Sequence, residues 1–197
     1  MKILIPLSIL AFALGIGAGL FFFNKNTPES SSSSMNYPIG GDFTLHDGDK
    51  EVRLSDSKGK VRLIFFGYTS CPDICPSSLA FISTSLKQLT DKERKNTQVL
   101  FISVDPDRDS AEKLRDYTKY FSPDILGITG SKKEIDDVVK KYGAAYRKVA
   151  GDSAMGYSVD HSASVYVINP EGKVVDMLPH GLPVEEITKA IRKYQPH

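Results

Sequence analysis

Apolar residues along the chain fall into short continuous runs that alternate with longer stretches of helical spacing. Two runs, Val61–Gly67 (VRLIFFG) and Gln98–Asp105 (QVLFISVD), are mostly apolar, which is typical of strands buried on both faces of a sheet. Between them, four apolar residues recur at the intervals of a helix that begins near Cys75. These residues are Leu79, Ile82, Leu86 and Leu89. The pattern predicts a strand, a helix and a second strand in this order.

The rest of the domain continues the alternation. Three further helices are predicted: one capped by Asp109 or Ser110, one opened by the capping box Ser131–Glu134, and one over Pro183–Tyr194. Two strand pairs are predicted: Asp42–Leu45 with Glu51–Leu54, and a hairpin over Ala163–Leu178 around a Pro-Glu-Gly turn. This order of elements predicts an α/β, thioredoxin-like fold, in which helices flank a central mixed β-sheet.

An apolar stretch at the N-terminus predicts a membrane anchor. Ile3–Phe23 has no charged residue and is long enough to cross a bilayer as a helix. The alternative is a cleaved signal peptide, whose apolar core is usually shorter, about 7–15 residues. Lys2 precedes the stretch and favours a cytoplasmic N-terminus. Because no Arg/Ser-rich transit peptide precedes it, we expect a single-pass helix over residues 1–23 in a bacterial cytoplasmic (inner) membrane.

The polar segment after the anchor predicts a tether. Residues 24–38 are Ser-rich and contain two prolines, so they cannot bury enough apolar area to fold on their own. The folded domain is expected over residues 39–197, on the extracytoplasmic side. The formal net charge of the chain is +1, and no basic stripe is present. This charge pattern argues against a nucleic-acid partner.

The only two cysteines of the chain lie at the predicted strand–helix turn. Cys71 and Cys75 are four residues apart, so a helical turn places both side chains on one side. The helix N-terminus favours thiolates, and paired thiolates form a soft chelate that suits Cu(I). His161, just before the predicted hairpin, is the best candidate for a third ligand. The other histidines, His46, His180 and His197, are expected to be solvated.

Other interpretations of the cysteine pair stay open. A structural disulfide would close a short loop and would therefore restrict the unfolded chain little. A redox-active dithiol, Cys71 with Cys75, is a stronger alternative, although the usual redox spacing is C-x-x-C. A peroxidase-like thiol protein is a third interpretation. A closed zinc site is disfavoured because it needs four ligands and the chain has two cysteines. Asp105 and Asp107 are interpreted as turn and cap residues.

Several motifs make the chain resemble the Sco/SenC family of membrane-anchored copper proteins needed for cytochrome c oxidase assembly. They are IGGDFTL, FFGYTSCPDICP, FISVDPDRD and DHSASVYVINPEG, and the resemblance covers nearly the whole domain, Ile39–Tyr194. It implies a thioredoxin-like fold that binds copper through Cys71, Cys75 and His161. It also implies delivery of copper to the dinuclear copper site of cytochrome c oxidase subunit II, or reduction of that site's cysteines.

The resemblance favours a copper metallochaperone over an enzyme. A thiol–disulfide oxidoreductase, acting on the oxidase cysteines or on other extracytoplasmic proteins, is the alternative. Other copper chaperones and thiol reductants are expected as further partners, and copper is expected as Cu(I), with Cu(II) as a second state. The family's usual motif has a histidine directly before the first cysteine, where this chain has Ser70. That departure leaves the three expected ligands intact and removes one nearby imidazole.

Overall fold

A computed structural model describes residues 39–151 and 156–196 of the chain. The predicted anchor over residues 1–23 and the predicted tether over residues 24–38 lie outside these ranges, as does His197. Within the described ranges, no helix has both the length and the apolar character needed to cross a membrane.

The described residues contain nine β-strands and five α-helices. The strands are β1 Thr44–Asp47, β2 Lys50–Arg53, β3 Val61–Gly67, β4 Thr97–Ser103, β5 Ile125–Ile128, β6 Tyr146–Ala150, β7 Tyr157–His161, β8 Val165–Ile168 and β9 Val174–Leu178. The helices are α1 Ile74–Lys87, α2 Asp91–Lys95, α3 Ala111–Phe121, α4 Lys132–Lys141 and α5 Val184–Lys193. A 3₁₀ helix covers Leu54–Ser57.

A central five-stranded mixed sheet has the strand order β5-β4-β3-β8-β9. Strands β3, β4 and β5 run parallel, whereas β8 and β9 pair antiparallel with their neighbours. Helix α1 packs against both α3 and α5. This arrangement confirms the predicted thioredoxin-like fold. Because β3 and β4 are parallel, their carboxyl ends, Gly67 and Ser103, meet at one edge of the sheet.

The two predicted buried strands lie at the centre of this sheet. Every residue of β3 is buried, which explains its continuous apolar run. The predicted strand Gln98–Asp105 ends earlier, at Ser103. It ends there because the chain turns at Asp105, whose backbone carbonyl accepts hydrogen bonds from the backbone N–H groups of Arg108 and Asp109.

The predicted helix starts are confirmed, and one open choice is resolved. The Ser110 side chain, not that of Asp109, caps α3 by accepting a hydrogen bond from the backbone N–H of Lys113. Ser131 and Glu134 form the predicted capping box of α4. The carboxylate of Asp109 is buried and serves other hydrogen bonds, which are described below.

In the first strand pair, the first strand begins two residues later and the second strand one residue earlier than predicted. Gly48 has a φ of +64°, which allows a tight turn and leaves His46 and Asp47 paired within the strands. Helix α2, strand β5 and the β6–β7 hairpin are not predicted by the sequence analysis. The hairpin gives a weak signal because β6 has no buried residue and β7 has one, Val159.

Candidate metal centre

The two cysteines lie where β3 passes into α1, at the carboxyl edge of the sheet. Cys71 is half-buried in the cysteine loop, Tyr68–Asp73, and Cys75 is fully buried in the first turn of α1. The backbone N–H of Cys75 donates a hydrogen bond of 3.4 Å to the Cys71 sulfur. Both residues are free cysteines. Asp73 between them is exposed, as predicted.

Gly67 makes room for the Cys75 thiol at the end of β3. A Cβ atom at this position would lie 2.6 Å from the Cys75 sulfur and 2.7 Å from the ring of Phe101. Real Cβ atoms do not approach other atoms this closely, so any larger residue would displace the thiol or the aromatic ring. The sequence analysis did not single out Gly67, although a glycine directly after the apolar run VRLIFF marks this position.

His161 approaches the two thiols from a different part of the fold. Its Nε2 atom lies 3.3 Å from the Cys75 sulfur and 4.0 Å from the Cys71 sulfur. The two sulfurs and one imidazole nitrogen all lie within 4.8 Å of one another. We call Cys71, Cys75 and His161 the thiol–histidine cluster. The sequence analysis expected His161 in a loop, whereas the structure places it at the end of β7.

A backbone carbonyl fixes which nitrogen of His161 carries the proton. The Nδ1 atom lies 3.0 Å from the carbonyl oxygen of Ser162, which can only accept a hydrogen bond. Nδ1 therefore donates, and in the neutral ring Nε2 directs its lone pair at the sulfurs. The rings of Phe65 and Tyr68 pack edge-on against the imidazole, at centroid distances of 6.1 and 5.9 Å. Asp160 points elsewhere and pairs with Arg147.

The two thiols have pKa values that move in opposite directions. The pKa of Cys71 is lowered, chiefly because the Cys75 thiol donates a hydrogen bond to the Cys71 thiolate. The pKa of Cys75 is raised, because its proton is held in that hydrogen bond, because the side chain is buried, and because the nearby thiolate repels a second negative charge. The pair therefore loses its first proton from Cys71 and keeps the second on Cys75.

This donor set fits a soft metal ion. Two sulfur atoms and one neutral imidazole nitrogen suit copper, whereas a structural zinc site has four ligands. Across residues 39–151 and 156–196, no other group of three or more Cys, His, Asp or Glu side chains converges in this way. His180 is exposed, as predicted, and contacts Ser78. The side chain of His46, also predicted to be solvated, is 33% exposed and contacts Glu134.

A model of the SCO1/SenC family matches residues 31–195. The chain belongs to the SCO1/SenC family. An SCO2-like protein of Rickettsia conorii is 39% identical over 180 residues, which cover 87% of this chain and 86% of that relative. The structure of Bradyrhizobium japonicum ScoI with copper bound has a TM-score of 0.72 and 36% identity, and covers 79% of this chain and 99% of that one.

A third comparison concerns a relative with a redox property. BsSco, described as a member of the Sco family of cytochrome c oxidase assembly proteins in which a disulfide switch was identified, is 27% identical with a TM-score of 0.63. The match covers 83% of this chain and 96% of that one. The SCO1/SenC membership bears out the resemblance drawn from the motifs. In this chain, Ser70 stands directly before the first cysteine. Its hydroxyl lies 3.4 Å from the ammonium group of Lys113.

Proposed function

We propose that this SCO1/SenC protein is a copper metallochaperone for the assembly of the dinuclear copper site of cytochrome c oxidase, and that the thiol–histidine cluster holds the copper. One observation carries the proposal: two sulfurs converge on an imidazole nitrogen whose lone pair faces them. Copper bound to the related ScoI supports it. Copper is the cargo of the protein, so the same residues must both hold it and release it.

The cluster residues have different tasks in this function. The lowered pKa of Cys71 favours its thiolate form before the metal binds, whereas Cys75 must lose its proton when the metal binds. In the neutral ring His161 offers the lone pair of Nε2, because its N–H points at the Ser162 carbonyl. Soft sulfur ligands favour Cu(I), and the imidazole also suits Cu(II). Cys71 is half-buried, so a partner thiol has access to this side of the site.

The proposed partner and location follow the family and the N-terminal sequence. The relative BsSco is described as a member of a family of cytochrome c oxidase assembly proteins, which indicates an oxidase as the partner. We propose that the partner is the copper-bearing subunit II of the oxidase. The apolar stretch Ile3–Phe23 supports a single-pass anchor in the bacterial cytoplasmic membrane. The domain would then face the extracytoplasmic side.

The same two thiols support a second candidate function, thiol–disulfide oxidoreductase. A half-buried cysteine with a lowered pKa beside a buried cysteine with a raised pKa is the arrangement of an attacking and a resolving thiol. Cys71 would attack a partner disulfide, and Cys75 would then release the reduced partner. Two electrons and the Cys75 proton pass to the partner, a second proton comes from solvent, and Cys71 and Cys75 become a disulfide. The disulfide switch of BsSco supports this candidate.

A Cu(I) titration of the reduced protein tests the proposed site. The wild type is expected to bind one copper per chain. His161→Ala should weaken binding at least about 100-fold, since loss of an outer partner alone typically costs 10–100-fold in affinity. His46→Ala is the matched control, because His46 contacts Glu134 and lies outside the cluster. Equal affinity in His161→Ala and the wild type would contradict the three-ligand site.

The two candidate functions are separated by removing copper. If the protein is a metallochaperone, copper-depleted protein should fail to restore copper to an apo oxidase domain, even when its thiols are reduced. If it is an oxidoreductase, copper-depleted protein should reduce the disulfide of that domain at the full rate. Measuring both products on one sample, bound copper and free partner thiols, decides between them.

A further inference from the structure

The loop between β4 and α3 contains two buried carboxylates. We call Asp105–Asp109 the DPDRD loop, after its sequence. The residues Asp105 and Asp109 are 0% and 1% exposed, whereas Asp107 between them is exposed. Burying an ionised carboxylate is costly unless hydrogen bonds compensate for the lost water. Each carboxylate accepts hydrogen bonds from a residue close in the chain to a proposed copper ligand. Asp109 contacts the segment of Cys71, and Asp105 contacts the segment of His161.

Asp109 holds the segment that carries Cys71. Its carboxylate accepts two hydrogen bonds from Thr69, one of 2.9 Å from the backbone N–H and one of 2.5 Å from the hydroxyl. It also accepts a hydrogen bond of 2.6 Å from the Ser103 hydroxyl, at the end of β4. Thr69 stands two residues before Cys71. Asp109 therefore joins the cysteine loop to the central sheet through three hydrogen bonds.

Asp105 holds the segment that carries His161. Its carboxylate accepts a hydrogen bond of 2.7 Å from the Tyr157 hydroxyl and another from the Nε of Arg108. Arg108 in turn donates a hydrogen bond of 2.9 Å to the Tyr157 carbonyl, and its guanidinium stacks 3.6 Å above the Tyr157 ring. Tyr157 and His161 are the first and last residues of β7. Asp105 and Arg108 therefore fasten this strand to the DPDRD loop.

We infer that Asp105 and Asp109 are positioning residues with separate tasks: Asp109 sets the place of the thiols, and Asp105 sets the place of the histidine. A single five-residue loop thereby fixes how far the imidazole stands from the two sulfurs. Groups behind metal ligands commonly orient them in this way. The inference rests on the proposed copper site for its purpose, but the contacts that carry it are present in the protein without copper.

Five variants separate the two tasks. Asp105→Asn and Tyr157→Phe each weaken the hold on β7, and Tyr157→Phe keeps the ring beneath Arg108. Asp109→Asn and Thr69→Val each weaken the hold on the cysteine loop, and Thr69→Val keeps the volume of the side chain. Asp107→Asn is the matched control, since it changes the same loop at an exposed carboxylate whose partner, Lys148 in β6, lies outside both measured segments.

Hydrogen exchange of the copper-free protein is the first measurement. Asp105→Asn and Tyr157→Phe should speed amide exchange over residues 157–161 about tenfold, the effect of losing one buried hydrogen bond, and leave residues 68–75 unchanged. Asp109→Asn and Thr69→Val should speed exchange over residues 68–75 and leave residues 157–161 unchanged. Asp107→Asn should change exchange in neither segment. Equal changes in both segments, or no change in either, would overturn the inference. The Phe and Val variants keep the test open if an Asn variant does not fold.

The second measurement uses Cu(I) and X-ray absorption. Asp105→Asn should raise the copper dissociation constant about 10–100-fold and reduce the imidazole scattering from copper, while the sulfur scattering persists. Asp109→Asn should retain the imidazole scattering. Full imidazole scattering and wild-type affinity in Asp105→Asn would overturn the inference. A wild type that binds no copper, with the exchange pattern intact, would instead contradict the proposed function and leave the positioning roles standing.

Discussion

The thiols and the histidine of the candidate site are supported in different ways. The cysteine loop and α1 continue directly from β3, a fully buried strand at the centre of the five-stranded sheet. The β6–β7 hairpin, which carries His161, pairs only with itself among the described strands. Side chains connect it to the rest of the domain, among them those of Tyr68, Asp105 and Arg108. The Cys75 sulfur is thus fixed by the core and the Cys71 sulfur by a loop anchored to the sheet, whereas the nitrogen is carried by a peripheral element.

The largest effect expected from this difference is in thiol reactivity. In the reduced, copper-free protein, iodoacetamide should alkylate Cys71 at least about 100 times faster than Cys75 at pH 6, because only Cys71 is a thiolate there and only Cys71 is accessible. The Cys71 pKa is lowered, so its rate should change little between pH 5.5 and 7.5. Peptide mass spectrometry measures both rates. A Cys71 rate that rises about tenfold per pH unit, as for an ordinary thiol, would contradict this arrangement.

Substituting the glycine under the thiols should cost the most stability. Gly67→Ala places a Cβ atom 2.6 Å from the Cys75 sulfur, and such overpacking should lower the free energy of unfolding by about 2 kcal/mol. Urea unfolding measures the change. Gly151→Ala is the control, since a Cβ atom there would meet no atom within 4 Å. Equal midpoints for the two variants would show that the core does not constrain the thiol position.

Removing a contact between the two regions should cost less. The Tyr68 hydroxyl accepts a hydrogen bond of 3.3 Å from the backbone N–H of Val159 in β7. Tyr68→Phe leaves this buried N–H without its partner, so the free energy of unfolding should fall by about 1 kcal/mol. Tyr120→Phe is the control, because Tyr120 is 85% exposed. If both variants unfold at the same urea concentration, this hydrogen bond does not help to hold the hairpin.

The smallest effect is expected on the outer face of the hairpin. Arg147 and Asp160 form an ion pair of 2.8 Å, but their side chains are 76% and 62% exposed. Arg147→Ala should therefore change the free energy of unfolding by less than about 0.5 kcal/mol and leave copper affinity unchanged. A loss of copper affinity comparable to that in His161→Ala would mean that this face, too, controls the histidine.

The same comparison explains what the sequence could predict. The continuous apolar run of β3, the helical spacing in α1 and the C-x-x-x-C motif are local patterns, so the place of Cys71 and Cys75 could be predicted. Capping residues such as Ser131 and Glu134 act within one turn and were equally visible. The motifs then placed the chain in the right family. These features depend on neighbours within a few positions in the chain.

The support of His161 depends on distant residues and could not be predicted locally. Tyr157 and Asp105 are 52 positions apart in the chain, strand β6 shows no clear alternation of buried and exposed residues, and strand β7 alternates over only five residues, of which Val159 alone is buried. Asp105 and Asp109 were therefore interpreted as turn or cap residues, although both side chains are buried in hydrogen bonds. The residue type alone could not have revealed these buried roles, because Asp is common in turns.

The separate attachment of the β6–β7 hairpin bears on how cargo leaves the protein. In the described part of the chain, no ladder of backbone hydrogen bonds joins this hairpin to the central sheet. The free energy needed to separate the two therefore depends on side-chain contacts such as those of Asp105 and Tyr68. A hairpin lifted in this way would withdraw the nitrogen donor while the two sulfurs keep their places. A copper ion would pass through a two-sulfur stage with one side open, and an incoming thiolate could take the vacated position before the ion departs.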